Sequence, residues 1–115
     1  MPYSIAGLAL TAVITEPDKV AAEKMREVSC EAPNDELLFA DWLNKLVYLM
    51  ATQHMLFSRF DVQVENNRLH ATVWGEKLDR DRHQPTVEVK GATYTELAVF
   101  QDDNNMWHAQ TIVDV

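Results

Sequence analysis

One cysteine, three glycines and four prolines in 115 residues close off several classes of protein at once. A single thiol, Cys30, cannot form an internal disulfide or a paired-cysteine zinc site, and it fits a reducing compartment. So few glycines and prolines leave no room for a flexible linker, and no Gly-rich phosphate loop, dinucleotide motif or nucleophile elbow occurs. Basic residues are scarce as well: 10 Lys and Arg against 18 Asp and Glu give a net charge of −8. That sign is wrong for displacing counterions from a phosphate backbone, so tight direct nucleic-acid binding is not expected. An acidic surface favours solubility, metal ions or a basic partner. The one candidate membrane segment, Ile5 to Ile14, falls well short of the roughly 20 apolar residues a span requires. It has no basic flank for a signal peptide and runs straight into Glu16-Pro17-Asp18. A cytoplasmic protein without membrane association is the expectation.

What is present describes one domain over residues 1–115, long enough to bury about two-thirds of its unfolded surface. After the short lead-in Met1-Pro2-Tyr3, the residues Ile5, Leu8, Ala9, Ala12 and Val13 fall at helical spacing. They predict a buried core helix stopped by Pro17. Met25 to Glu31 reads as a short strand, with Cys30 a small core-facing residue near its end. Asn34 is placed to cap a helix over Asp35–Gln53, and Asp35 and Glu36 put negative charge where the helix dipole favours it. Leu38, Trp42, Leu46 and Leu49 or Met50 make its apolar face. Asp41, Asn44, Lys45 and Tyr48 form the opposite stripe, with Asp41 and Lys45 spaced for a surface ion pair.

From there the period is two. Phe60, Val62 and Val64, the turn Asn66-Asn67, then Leu69, Ala71 and Val73 predict a hairpin. Val87 and Val89 flank Glu88 in a further strand. Leu97 and Val99 lead to the turn Asp102-Asp103-Asn104-Asn105, and Met106 to Val113 returns as the last strand. The turn lacks the acidic spacing, central Gly and closing Glu of a calcium loop. This order argues an α+β fold, two helices packed on one face of a mostly antiparallel sheet.

Few constellations carry chemistry. The chain closes on Asp114 beside the main-chain carboxylate of Val115, two oxygen-rich groups of the kind that bind Ca²⁺ or Mg²⁺. Lys90, in VEVKGATY, has an apolar stem and an ammonium that can meet an anion. Asp79, Asp81 and His83 in DRDRH would share one side of an extended segment, a metal or acid–base cluster. The plainer alternative, favoured on motif grounds, is a solvated loop in which Arg80 and Arg82 neutralise the aspartates. His54, His70 and His108 stand singly.

In order along the chain, LALTAVITEPDKV, DWLNKLVYLM, HMLFSRFDVQV, GEKLDRDRH, VEVKGATYTEL and WHAQTIVDV resemble the archease family, and the resemblance covers nearly the whole sequence. It implies a small α+β protein that activates the tRNA-splicing RNA ligase, promoting its guanylylation and repeated turnover, and is not itself the ligase. That ligase joins RNA ends bearing a 2′,3′-cyclic or 3′-phosphate with GTP and a divalent metal. By the same resemblance Asp114, beside Val115, matches the C-terminal metal-binding aspartate; Lys90 matches the lysine of the family's EVKA-type segment; and Asp79 and His83 match the D-x-x-x-H of the preceding loop. Tyr94, in the block that follows Lys90, joins them as a residue for partner or function. Two departures stand out. Thr95 occupies a position where many members have His, and the family's opening His-Thr-Ala-Asp strand, whose aspartate completes the metal site, is missing from this sequence. The expectation is a truncated gene start or a divergent member, with a weakened metal site and an open sheet edge through which two chains could pair as a homodimer. The rival classes are a small metal-dependent phosphoester-processing enzyme and a chaperone-like protein-binding module.

Overall fold

Two asparagines set the register of the main sheet. Asn66 and Asn67 both take positive φ, 52° and 60°, the pair of conformations that a two-residue hairpin turn requires. They join β2 (Met55–Glu65) to β3 (Arg68–Lys77), which pair antiparallel with one irregularity between Phe57 and Arg59. β1 (Lys24–Glu31) pairs antiparallel with the other edge of β3, from Lys24 opposite Gly75 to Glu31 opposite Arg68. The strand order is therefore β1-β3-β2. On β3, Leu69, Ala71 and Val73 are buried while His70 and Arg68 are exposed, the alternation a half-buried strand requires. The outer face carries the Arg59 guanidinium 4.6 Å over the Trp74 ring, a cation–π contact of about 0.5–1 kcal/mol.

The computed structural model describes residues 3–115, so the lead-in Met1-Pro2 lies outside the described residues. Helices α1 (Tyr3–Ile14) and α2 (Asp35–Gln53) pack on the sheet and on each other. The cap of α2 is the expected one: the Asn34 side chain accepts the Leu37 N–H at 2.9 Å. Asn34→Ala is expected to lower stability by about 1 kcal/mol, read as a shift in urea midpoint without a change of slope. Leu38, Phe39, Trp42, Leu43, Leu46 and Val47 are buried. Asp41 and Lys45 do not form the expected ion pair. Asn44 turns from its expected solvent stripe to the backbone of Ala92. Cys30 packs half-buried against the core, and burial, reinforced by Asp41, pushes its thiol up to about 11, an unreactive state at neutral pH.

α1 corrects an expectation. It is a helix over the predicted residues, but the face it buries is Tyr3, Gly7, Leu10, Thr11 and Ile14. Ile5, Leu8, Ala9, Ala12 and Val13 point outward, Ile5 by 72%. The reason is polar. Thr11 donates its hydroxyl to the Phe57 carbonyl at 2.6 Å, where β2 is irregular, and Trp42 Nε1 donates to the Tyr3 carbonyl at 2.8 Å. Both bonds are buried and fix which side of α1 meets the core.

The last third also differs from expectation. Residues 84–90 pair in no sheet, so the strand expected around Val87–Val89 does not form, although Val89 is buried. Pairing starts at β4 (Gly91–Ala92), opposite β7 (Val113–Asp114), and resumes between β5 (Ala98–Gln101) and β6 (Trp107–Gln110). The expected last strand is thus divided at Thr111-Ile112. The turn at Asp102 is the expected hairpin turn: its side chain accepts the N–H groups of Asn104 and Met106.

Candidate functional site

The functional candidates fall into two clusters that share no hydrogen bond or ion pair. The first lies where β3 ends. DRDRH forms neither an extended row nor a solvated loop. It is one helical turn, α3 (Arg80–His83), whose Asp79 cap accepts the N–H groups of Asp81 at 3.0 Å and Arg82 at 3.3 Å. A capping aspartate has its oxygen committed to the backbone and is less available as a cation ligand. The turn drives His83 inward until it is fully buried. There His83 Nδ1 accepts the Asp79 N–H at 2.8 Å, so the ring proton sits on Nε2. Nε2 in turn donates to Glu76 Oε2 at 3.1 Å, and the Thr15 hydroxyl donates to the His83 carbonyl.

Glu76 is the centre of this cluster, 5% exposed. Its carboxylate accepts from the Ala21 N–H, from His83 and from the Arg82 guanidinium. Burial opposes its ionisation, yet the bonds from Ala21, His83 and Arg82, with the Arg82 charge, outweigh burial and hold the carboxyl below its ordinary value. Arg82 therefore neutralises Glu76, not the neighbouring aspartates. The cluster ties the end of α1, the approach to β1, β3 and α3 together through one anion.

The second cluster is built on β4 and β7. The Lys90 N–H donates to the Asp114 carbonyl at 2.7 Å, and Gly91 lies opposite Asp114. Asn44 of α2 clasps this pair: its Oδ1 accepts the Ala92 N–H at 2.8 Å and its Nδ2 donates to the Ala92 carbonyl at 3.4 Å. A side chain at Gly91 would place Cβ 3.2 Å from that Oδ1. Lys90, Asp114 and Val115 are exposed, as is Tyr94 at 67%, in the turn that separates β4 from β5. Lys90 and Asp114 are thus neighbours across a strand pair, while Asp79 and His83 belong to the other cluster.

The archease protein family matches residues 3–115. The chain belongs to the archease family. It is 31% identical over 117 residues to a protein archease of Pyrococcus abyssi, covering 98% of this chain and 82% of that protein. A protein archease of Methanosarcina mazei is 33% identical over 118 residues, covering 98% and 80%. The solution structure of Methanobacterium thermoautotrophicum protein 1598 superposes with a TM-score of 0.83 at 27% identity, over 98% of this chain and 82% of that one. The shared fold is the expected α+β archease architecture.

For this archease-family chain, a metal site at the C-terminal strand is a question of ligand number. Hard divalent cations take six to eight oxygens. Among the described residues no three His, Cys, Asp or Glu side chains converge. Asp114 and Val115 are an exposed and partial set, and they do not by themselves enclose a cation. No helix among the described residues is long and apolar enough to cross a membrane. Motif matching overlooked Glu76 and Asn44. The signal for Glu76 was a lone carboxylate at a strand end, followed within seven residues by Arg80, Arg82 and His83, donors enough to bury it.

Proposed function

We propose that this chain is a non-catalytic accessory protein of tRNA processing that activates the tRNA-splicing RNA ligase, promoting guanylylation and multiple turnover. Membership of the archease family across residues 3–115 is the observation that supports this most. The working residues are Lys90 and Asp114, with Tyr94 on the same exposed face of the terminal strands. A divalent cation, Ca²⁺ or Mg²⁺, is held at Asp114 and Val115 with its remaining oxygens supplied by water and by the ligase. Such a site is complete only in the complex, which suits an activator better than a free-standing enzyme. Asp79 and His83 act from a distance by fixing the α3 turn.

The test is RNA ligation by the cognate ligase under multiple-turnover conditions, with and without this chain. The chain is expected to raise turnover, and Asp114→Ala or Lys90→Ala to remove about tenfold or more of that stimulation, the scale of a typical coupling free energy. Both positions are exposed, so unchanged thermal unfolding of the variants is expected alongside. Absence of stimulation would sink the proposal. Phosphoester turnover by the chain alone, lost in Asp114→Ala, would replace it with a metal-dependent enzyme.

A further inference from the structure

Lys90 and Asp114 owe their adjacency to a ladder of two residue pairs, Gly91 opposite Asp114 and Ala92 opposite Val113. On the side of β4 that faces β7, the Lys90 N–H donates to the Asp114 carbonyl at 2.7 Å and the Thr93 N–H to the Ile112 carbonyl at 2.9 Å. The backbone groups of Ala92, between them, point the opposite way, towards α2. So short a ladder sets the two strands against each other but has little rigidity of its own. What holds it against the rest of the domain decides where the Lys90 ammonium and the Asp114 carboxylate stand.

A directional link is supplied by one side chain of α2. Asn44 is half-buried, and an asparagine amide carries the same donor and acceptor as a peptide group. Its Oδ1 accepts the Ala92 N–H at 2.8 Å and its Nδ2 donates to the Ala92 carbonyl at 3.4 Å, the two bonds a neighbouring strand would make. The amide thus stands in for a strand on the α2 side of β4. Its own place is fixed, because Trp42, Leu43, Leu46 and Val47 around it on the helix are buried in the core and Asn34 caps the helix start. Ala92 and Val113 also pack partly against the core, but apolar contact is non-directional and sets no register. Gly91 completes the arrangement, since a Cβ there would crowd the same Oδ1.

We infer that Asn44 is a positioning residue for the Lys90–Asp114 pair. It bonds neither of them and acts through the Ala92 backbone, holding β4, and with it β7, in one register against α2. This role rests on the reading of Lys90 and Asp114 as the residues through which the chain activates a ligase, and names the residue that sets their geometry. A working pair held to within about 0.5 Å needs a support of this kind, built on a rigid element. Without the amide, the two-residue ladder can shift along α2 while every core side chain stays in place.

The test is Asn44→Ala in the full chain, which removes both bonds and favours the helix. Amide hydrogen exchange comes first, because it needs no ligase. Exchange at Ala92 must rise with the loss of its acceptor. The Lys90 and Thr93 N–H groups should also exchange about tenfold faster or more, although their own acceptors on β7 are untouched, while the amides of β2 and β3 keep their protection. Faster exchange at Ala92 alone would overturn the inference, reducing Asn44 to a partner for one N–H. Loss of protection across β2 and β3 would overturn it too, making Asn44 a residue of general stability. Ligation under multiple-turnover conditions then reads the consequence. Maximal stimulation should fall about tenfold in Asn44→Ala, with the half-maximal concentration of the chain unchanged. A raised half-maximal concentration at full stimulation would instead make Asn44 a contact for the ligase, against a positioning role. Adding Gly91→Ala to Asn44→Ala should cost no further stimulation, since the bare Gly91 backbone serves to admit the amide, and additive losses would overturn the inference. If the wild-type chain gives no stimulation, the ligase reading falls, and the exchange result alone decides whether Asn44 aligns the pair.

Discussion

Glu76→Gln is expected to lower the stability of this protein by about 3 kcal/mol at pH 7, the cost of breaking a buried ion pair from one side. Glutamine keeps the shape of the side chain but loses the charge that faces Arg82. With its amide oxygen kept where Ala21 and His83 both donate, it turns an NH₂ towards the Arg82 guanidinium, donor against donor. Arg82→Ala should cost less, about 1–2 kcal/mol, because Arg82 is half exposed and leaves Glu76 with two donors. The pH dependence follows from the direction of the shift. The folded carboxyl of Glu76 titrates below its ordinary value, so its contribution is fully present above the unfolded pKa of about 4.3. The contribution disappears as pH falls through the folded value. Wild-type stability should therefore decline steeply in acid, and the gap between wild type and Glu76→Gln should narrow below about pH 4. Urea unfolding of both proteins from pH 7 to pH 3 decides the matter, and two parallel curves would show that Glu76 is not the anchor. The same variant bears on function: because Asp79 and His83 act by fixing α3, which Glu76 anchors, ligase stimulation should fall in Glu76→Gln even where the protein remains folded.

The parts of the fold that were legible in the sequence are those decided locally. Asn34 and the i, i+3, i+4 pattern from Leu38 to Leu46 placed α2 because cap and period agreed. Asn66-Asn67 placed the hairpin because only a few residue types tolerate two successive positive φ values. α1 was legible as a helix but not in orientation, since YSIAGLALTAVI is apolar all round and no polar stripe marks the outside. Its rotation is chosen by Thr11 and Trp42, through bonds to residues 46 and 39 positions away. DRDRH offers charges at alternate positions but no apolar period. Whether it is a row, a loop or a turn is settled by the pull of Glu76 on His83 and by Thr15, across 68 residues. Lys90 and Asp114 were legible as candidates from residue type alone. Their adjacency was not, because a two-residue ladder leaves little pattern.

Close backbone approach makes Gly75 the most sensitive glycine of the chain. A Cβ there would lie 1.8 Å from the Leu56 carbonyl oxygen and 2.8 Å from Phe57 Cα, all on β2. Neither atom belongs to a movable side chain tip. β2 is pinned at this point from both faces: Leu56 and Phe57 are buried, and the Phe57 carbonyl accepts the Thr11 hydroxyl. Gly75→Ala must therefore push β2 and β3 apart, loosen the Thr11 bond that orients α1, and shift Glu76, the next residue, away from Ala21 and His83. Interiors packed to crystal density do not absorb such a displacement, and the loss should reach about 4 kcal/mol or leave the protein unfolded at room temperature. Gly7→Ala should be far milder, because the atoms nearest its Cβ belong to the Phe60 side chain, at 2.9 Å, rather than to backbone, and alanine gains up to about 1 kcal/mol of helix propensity. Gly91→Ala should be milder still in stability, its nearest neighbour being Asn44 Oδ1 at 3.2 Å. It should nonetheless disturb the clasp that aligns Lys90 with Asp114 and so lower ligase stimulation. Urea midpoints ordered Gly75→Ala far below Gly7→Ala, with Gly91→Ala near wild type, would establish the close approach of β2 and β3 as the tightest constraint in the fold. A Gly75→Ala protein within about 1 kcal/mol of wild type would refute it.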